Sequence, residues 1–266
     1  PDDDNRSDAQ KQSDERRFKS YGNYTENHEI LGAWDAVRKR GIGGHRLIER
    51  HSNCVVINPR IVNRWAEFRH FLRFEEEVAA ARGWVDFRTE LSMEMCGIGG
   101  QPDKIYLAPD GTLIIVDWKC KEKLYIAKNG RRAEAPFGCL NYDDSGKFTA
   151  QLNGYALMLQ AQTSYRVSQM FVVLLHVNNP SYVMHEVPFV YEETAQLFEQ
   201  YRQTKLVELT AAARSQLAKF GAHSDPVVAQ AGRARTMRIL QQCHRLESLV
   251  FVPEDNTPVG HQDNDS

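Results

Sequence analysis

The feature that most constrains the fold of this sequence is a predicted β-hairpin within residues 97–119. A short apolar run is followed by Asp110-Gly111, a strong turn signal, and then by a β-branched run. The turn should bring Asp103 back beside Asp117. Because side chains alternate along a strand, Asp117 and Lys119 should project from one face. The sequence therefore predicts two carboxylates and an ammonium group at one end of a hairpin.

Such a set of side chains has a chemical use. Hard divalent cations such as Mg²⁺ and Mn²⁺ bind one or two carboxylates together with water and substrate phosphate. The ion can stabilise negative charge on a phosphodiester, and a neighbouring lysine can orient the attacking water. The hairpin alone fits equally well a surface with ordinary ion pairs, so the other motifs decide between the two interpretations.

Composition limits the class of protein. The 266 residues are 42% hydrophobic and 26% charged, with a formal net charge of −2. One globular domain with extensions is expected, and nucleic-acid binding would need a local basic patch. The five cysteines contain no C-x-x-C pair, which favours a reducing intracellular compartment over a disulfide framework or a zinc finger. No apolar run approaches the roughly 20 residues of a membrane span, so no membrane partner is expected.

The distribution of polar residues predicts four segments. Residues 1–28 should form a disordered or extended arm, because few apolar groups offset the entropy of ordering. Residues 29–218 should form the main domain, residues 219–252 a C-terminal helical extension, and residues 253–266 a disordered tail. Both extensions are candidates for docking a protein partner. Because the sequence begins with Pro1, we expect a trimmed form.

Apolar periodicity in the main domain predicts a sheet with helices on its faces, which is an α/β fold. Three glycines between residues 41 and 44 should precede a helix with His45 near its start. Further helices are expected over residues 60–82, 149–161 and 192–218, and strands over 85–95, 167–177 and 182–189.

Polar residues outside the hairpin are candidates for the same site. His45 could bind a metal or a phosphate, and Glu90 lies on the strand that leads into the hairpin. Gln151 and Tyr155 are four residues apart on a predicted helix and share a face. The long, basic connection after Lys119 would suit a flap that grips a nucleic-acid strand. Each has a structural alternative: a packed histidine, a solvent-facing carboxylate, an aromatic anchor and a surface insertion.

In this order the motifs resemble those of the PD-(D/E)xK nuclease superfamily. The branch they are most similar to is that of the RecB-type exonucleases, which includes the mitochondrial genome maintenance exonuclease and phage and viral relatives. Ile42 stands where that branch usually has threonine. The matching segments are Arg40-Gly41-Ile42-Gly43-Gly44-His45, Glu90, Gly100-Gln101-Pro102-Asp103, Asp117-Trp118-Lys119 and Gln151-Leu152-Asn153-Gly154-Tyr155. The resemblance covers about residues 38–210 and implies a restriction-endonuclease-like core, with a mixed central β-sheet flanked by helices.

The resemblance also implies a role for each matched residue. Lys119 would position or activate the attacking water. Glu90 would either lie outside the direct ligands of the metal or bind a second metal ion. Gln151 and Tyr155 would position Lys119 and the nucleic-acid strand. The catalytic set would be Asp103, Asp117, Lys119 and Glu90, and the metal ligands His45, Asp103, Asp117 and the carbonyl of Trp118. Nearby basic residues expected to bind nucleic acid are Arg40, Lys121, Arg131 and Arg132.

The function that the resemblance implies is a Mg²⁺- or Mn²⁺-dependent DNA exonuclease acting on single-stranded ends in replication, repair or recombination. No iron–sulfur cluster is expected, because only Cys243 follows the Gln-x-x-x-Tyr motif. One alternative is an RNA endonuclease of the cap-snatching type, which combines similar motifs. Another is a non-catalytic nucleic-acid-binding subunit of a larger assembly. The sequence does not distinguish the nucleus, the mitochondrion and a virus- or phage-infected cytoplasm.

Overall fold

The computed structural model describes residues 27–127, 130–220, 223–249 and 251. This part of the chain alternates between helices and short strands, as the periodicity predicts. In chain order the elements are α1 (Asn27–Ser52), α2 (Pro59–Arg64), α3 (Ala66–Phe74, followed by a π-helical turn at Glu75–Ala80), β1 (Val85–Thr89), β2 (Met93–Met95), β3 (Ile98–Gly100), β4 (Lys104–Leu107), β5 (Leu113–Lys119), α4 (Asp144–Gln162), β6 (Val167–Leu174), β7 (Val183–Glu186), α5 (Tyr191–Phe220) and α6 (Pro226–Glu247).

Five strands form a mixed sheet in the order β1-β4-β5-β6-β7. Strands β5 and β6 are parallel and are joined by a crossover through α4, whereas the other neighbouring pairs are antiparallel. Strands β2 and β3 form a separate short hairpin. The predicted α/β fold with a mixed central sheet and flanking helices is confirmed, and so is the β4–β5 hairpin.

Each face of the sheet carries its own apolar core. Helices α1 and α3 cover one face, where Phe71 and Phe74 pack their rings edge-on against Trp118. Helices α4 and α5 cover the other face, where Leu152 and Phe198 are buried. Because neighbouring side chains on β5 point to opposite faces, the burial of Trp118 on one side directs Asp117 and Lys119 to the α4 side.

The helix expected over residues 60–82 is broken, which corrects the prediction. Helix α2 ends at Arg64 and α3 begins at Ala66, because Trp65 adopts an extended conformation. Glu67, in the first turn of α3, is fully buried and pairs with Arg40 of α1 at 2.5 Å. The apolar periodicity of residues 60–82 does not predict this break. The break depends on contacts with α1, a distant segment of the chain.

The strand expected over residues 85–95 is likewise interrupted. Strand β1 ends at Thr89, and Glu90 has a φ of 51°, in the left-handed region that side chains other than glycine rarely adopt. The chain therefore bends at Glu90 before β2 begins. Because of this bend, Glu90 no longer follows the side-chain alternation of β1, and it lies next to the start of β4.

Two helix starts also differ from the sequence-based expectation. The glycines between residues 41 and 44 lie inside α1 and do not precede it. Helix α4 begins at Asp144, because the side chain of Asp143 caps it by accepting a hydrogen bond from the Gly146 N–H at 3.0 Å. The connection between β5 and α4 therefore comprises residues 120–143 and is shorter than predicted.

The predicted domain limits stay predictions. The predicted arm lies outside the described residues apart from Asn27 and His28, which belong to α1, and the predicted tail 253–266 lies outside them entirely. Helix α6 falls within the predicted extension 219–252, while α5 runs past its expected end at residue 218 to Phe220. Within the described ranges, no helix combines the length and the apolar character needed to cross a bilayer.

The two glycines of α4 give a matched stability test. A Cβ at Gly146 would collide with the backbone carbonyl of Asn141, whereas one at Gly154 would make only an ordinary contact with Phe198 at 3.9 Å. Gly146→Ala should lower the free energy of unfolding by about 1–3 kcal/mol. Gly154→Ala should leave it unchanged or raise it by up to about 1 kcal/mol, because alanine favours helix. Urea unfolding measures both, and equal values for the two variants would contradict the packing at the start of α4.

Candidate metal centre

Asp103 lies immediately before β4 and links the hairpin to α1. Its Oδ2 accepts a hydrogen bond from the backbone N–H of Trp118 at 2.7 Å. Its Oδ1 lies 3.3 Å from Nδ1 of His45. Because both carboxylate oxygens are engaged and the side chain is largely buried, Asp103 has a fixed orientation.

The position of His45 depends on the glycines that precede it. A Cβ at Gly43 would collide with the indole of Trp65, and one at Gly44 would lie 3.1 Å from Sγ of Cys120. Glycine at both positions lets α1 pass close to α3 and to the end of β5. The close approach brings His45, well inside α1, within reach of Asp103.

Glu90 reaches the same place through the bend after β1. Its N–H donates to the carbonyl of Asp103 at 3.1 Å, and its own carbonyl accepts from Nε2 of Gln101 at 3.2 Å. These contacts hold the left-handed backbone of Glu90 in place. One ligand atom from each of His45, Glu90 and Asp103 lies within 4.8 Å of the others.

Asp117 and Lys119 form the second half of the site. Nζ of Lys119 lies 2.5 Å from Oδ2 of Asp117, whose side chain is almost completely buried. The ammonium group also lies 5.0 Å from the ring centroid of Phe148 on α4, a cation–π contact. The aromatic ring and the carboxylate together fix the position of the lysine head group.

The pKa values in the site reflect burial first and the neighbouring charges second. Burial and the charge of Asp103 raise the pKa of Glu90 to about 7. Burial and Asp103 likewise raise the pKa of Asp117 to about 6, so these two effects outweigh the neighbouring ammonium group. Burial would lower the pKa of His45, but the hydrogen bond to Asp103 and its charge outweigh burial and raise it. Burial also opposes the charged form of Lys119, yet Asp117 raises its pKa.

This arrangement fits a divalent cation. The triad of His45, Glu90 and Asp103 lines an open cleft of about 420 Å³, which Glu49 also borders. Ligands bound to one Mg²⁺ at about 2.1 Å lie at most about 4.2 Å apart, so a small inward movement would complete the coordination. The repulsion that raises the Glu90 pKa would be relieved by a dication, because the ion favours the ionised carboxylates.

Gln151 and Tyr155 share a face of α4, as their spacing predicts. Nε2 of Gln151 donates to the Tyr155 hydroxyl at 2.7 Å. A Cβ at Gly100 would lie 2.6 Å from the Tyr155 ring, so glycine permits this close approach. Tyr155 therefore ties α4 to the segment that carries Asp103.

The four basic residues expected to bind nucleic acid all have partners within the chain. Arg40 contacts buried Glu67, and Lys121 lies 2.6 Å from the Asp144 carboxylate. The guanidinium of Arg131 lies 4.3 Å from the ring centroid of Tyr142, and that of Arg132 donates to the Cys139 carbonyl at 2.8 Å. Their contact with nucleic acid stays a prediction.

The residues predicted for the site lie close together, but they form two groups instead of the single metal-ligand set that was expected. His45, Glu90 and Asp103 form the compact cluster, whereas Asp117 is paired with Lys119. Trp118 contributes its backbone N–H to Asp103, and its carbonyl as a metal ligand stays a prediction.

Sequence reasoning missed Asp144, Phe148 and Glu67, which fix Lys121, Lys119 and Arg40 respectively. Of these three residues, only Asp144 has a local sequence pattern that could have predicted its position. The acidic pair Asp143-Asp144 before an apolar periodic segment is typical of a helix N-terminus. Phe148 and Glu67 act through contacts between separate elements, which the sequence does not display.

Comparison with known proteins agrees with this geometry. A family model of the PD-(D/E)XK nuclease superfamily matches residues 25–242. The chain therefore belongs to this superfamily, whose members are nucleases that use divalent metals, and membership implies a metal-dependent nuclease. A search of curated proteins found no match.

Metal binding should depend on pH in a defined direction. Glu90 binds its proton more tightly in the folded protein, because its pKa rises from 4.5 to about 7. The stability of the metal-free protein should therefore fall as pH rises through this interval, and a bound cation should restore it. The increase in Tm produced by Mn²⁺ over EDTA should be larger at about pH 7.5 than at about pH 5.5.

Thermal unfolding of the wild type and of Glu90→Gln checks this expectation. The variant keeps the shape of the side chain but cannot ionise, so its Mn²⁺-induced increase in Tm should be smaller and less dependent on pH. An Mn²⁺ effect of equal size at both pH values in the wild type would contradict the assignment of Glu90 to the metal site.

Proposed function

We propose that the chain is a metal-dependent deoxyribonuclease of the RecB type, acting as an exonuclease on single-stranded DNA ends in replication, repair or recombination. The observation that carries the proposal is the meeting of the His45, Glu90 and Asp103 cluster with the Asp117–Lys119 pair at one end of the β4–β5 hairpin. The combination supplies a cation site and an ammonium group side by side.

His45, Glu90 and Asp103 would hold Mg²⁺ or Mn²⁺, with Asp117 and the carbonyl of Trp118 as further ligands. A histidine among oxygen ligands makes Mn²⁺ a suitable alternative to Mg²⁺. When bound, the cation would neutralise charge on the scissile phosphate and increase the acidity of a water molecule. The Trp118 N–H keeps Asp103 oriented for this role.

Lys119 would orient the attacking water and stabilise the negative charge that develops on the phosphoryl oxygens. Asp117 and the Phe148 ring hold its ammonium group, which reduces the freedom lost when substrate binds. Gln151 and Tyr155 would position the nucleic-acid strand next to Lys119. Their hydrogen bond and the close approach of the Tyr155 ring to Gly100 support this positioning.

A panel of end-labelled substrates tests the proposal. Wild-type protein is incubated with single-stranded DNA labelled at the 5′ or the 3′ end, with blunt duplex DNA and with single-stranded RNA, each in Mg²⁺, Mn²⁺ or EDTA. We expect metal-dependent degradation of single-stranded DNA from one end. Cleavage of RNA alone would support the cap-snatching type of endonuclease, and cleavage of nothing would support a non-catalytic subunit.

Lys119→Ala should lower kcat on the preferred substrate by about 10²–10⁴-fold, because positioned proton-handling groups contribute on this scale. Lys219→Ala, an exposed lysine at the end of α5, serves as the matched control and should retain wild-type kcat. Mn²⁺ binding to Lys119→Ala, measured by calorimetry, shows that the variant is folded. Retention of wild-type kcat by folded Lys119→Ala would contradict its proposed role.

A further inference from the structure

A second cavity lies next to Lys119. Lys121 lines this cavity, and the ammonium groups of Lys119 and Lys121 lie 5.0 Å and 5.7 Å from the centroid of the same Phe148 ring. The cavity has a volume of about 690 Å³, within the range that small-molecule and cofactor sites occupy. Its wall starts at Cys120, the residue directly after Lys119, and it continues along the loop that follows β5. Part of its lining is formed by Val37, Cys120, Leu124, Tyr125, Ile126 and His176.

The loop that forms this cavity is anchored on two sides. The N–H of Tyr125 donates to the Asp144 carboxylate at 2.9 Å, and its carbonyl accepts from the Asp144 N–H at 3.1 Å. On the other side, Asn179 donates to the carbonyl of Glu122 at 3.1 Å. The described first part of the loop is therefore held to both the α4 and the β6–β7 sides of the fold.

Three large apolar side chains are nevertheless exposed on this anchored frame. The exposed fractions are 64% for Tyr125, 68% for Ile126 and 65% for Val37. Exposed aromatic rings normally lose freedom when they bind a ligand, but here the backbone of Tyr125 is already fixed. Binding a ligand there therefore requires ordering of the side chain but not of the backbone. The frame suits recognition of a flat apolar surface.

The charges of the cavity indicate which part of a substrate fits. The carboxylate of Asp144 is paired with Lys121 at 2.6 Å, and that of Glu122 accepts a hydrogen bond from Asn178 at 3.1 Å. Lys121 and Lys123 also line the cavity, so two ammonium groups balance the two carboxylates, in contrast to the acidic His45 cleft. An uncharged, flat ring with polar edges fits such a cavity better than a phosphate or a metal ion does.

We propose that this cavity binds one unpaired nucleobase of the substrate strand, stacked on Tyr125, while the adjoining phosphate lies at Lys119. The inference rests on the proposed nuclease function and adds a determinant of substrate class. A base within a duplex is stacked and paired, so it enters such a cavity only after unpairing. The cavity therefore favours single strands over duplex ends.

The test combines an abasic scan with a variant of Tyr125. Single-stranded oligonucleotides carry one abasic nucleotide, moved one position at a time along the strand. Wild-type cleavage should weaken at one fixed position relative to the cleaved bond, where the missing base would occupy the cavity. Tyr125→Ala should lower kcat/KM on the intact strand by about 5- to 150-fold, the range for loss of base–aromatic stacking. The variant should also lose its sensitivity to the abasic position.

Controls separate stacking from folding and from catalysis. Tyr125→Phe should retain most of the activity, and Tyr201→Ala, an exposed tyrosine on α5, should match the wild type. Hydrolysis of a strand made only of abasic nucleotides, which has no nucleobase, should be the same in Tyr125→Ala and wild type. This substrate needs the metal centre but not the cavity, so it reports correct folding.

The outcomes distinguish the two proposals. If wild-type protein hydrolyses neither the oligonucleotide nor the base-free strand, the proposed nuclease function fails. If it hydrolyses both but shows no abasic position of weakened cleavage, the nucleobase cavity is wrong while the nuclease function stands. An equal loss of both activities in Tyr125→Ala, together with a flat abasic scan, would also overturn the cavity assignment.

Discussion

The candidate site depends on the contacts of one buried carboxylate. Asp103 accepts a hydrogen bond from the Trp118 N–H with one oxygen and contacts His45 with the other. These contacts join α1, the start of β4 and the end of β5. The backbone carbonyl of Asp103 also holds Glu90 at the bend after β1. The relative positions of the residues in the cleft therefore follow from how Asp103 is held.

The same crowding that assembles the site gives it a charge imbalance. Burial and the charge of Asp103 raise the pKa of both Glu90 and Asp117, and these effects outweigh the opposing charges of His45 and Lys119. A divalent ion relieves this repulsion, so metal binding and folding of the site are thermodynamically coupled. In the cavity that begins at Cys120, the carboxylates of Glu122 and Asp144 have partners within the chain and apolar groups are exposed. The two cavities therefore differ in chemistry, as the proposed separate binding of a phosphate and a base requires.

The sequence predicted the β4–β5 hairpin and the shared face of Asp117 and Lys119. Both depend on turn residues and on strand alternation, which involve only a few neighbouring positions. The bend at Glu90 was missed, since a glutamate with a positive φ carries no glycine or asparagine signal. The break at Trp65 was missed for another reason. It accompanies close packing against Gly43, and the burial of Glu67 depends on Arg40. Such contacts between distant segments decide where helices end, and no periodicity in the sequence encodes them.

Anomalous diffraction from crystals of the protein grown with Mn²⁺ would test the central claim most directly, because it locates the ion without reference to activity. The account predicts a peak about 2.0–2.3 Å from a carboxylate oxygen of Asp103, with His45 and Glu90 in its coordination sphere. Asp103→Asn should weaken or abolish that peak. A strong Mn²⁺ peak elsewhere, with His45, Glu90 and Asp103 making no metal contact, would contradict the assignment of the metal centre.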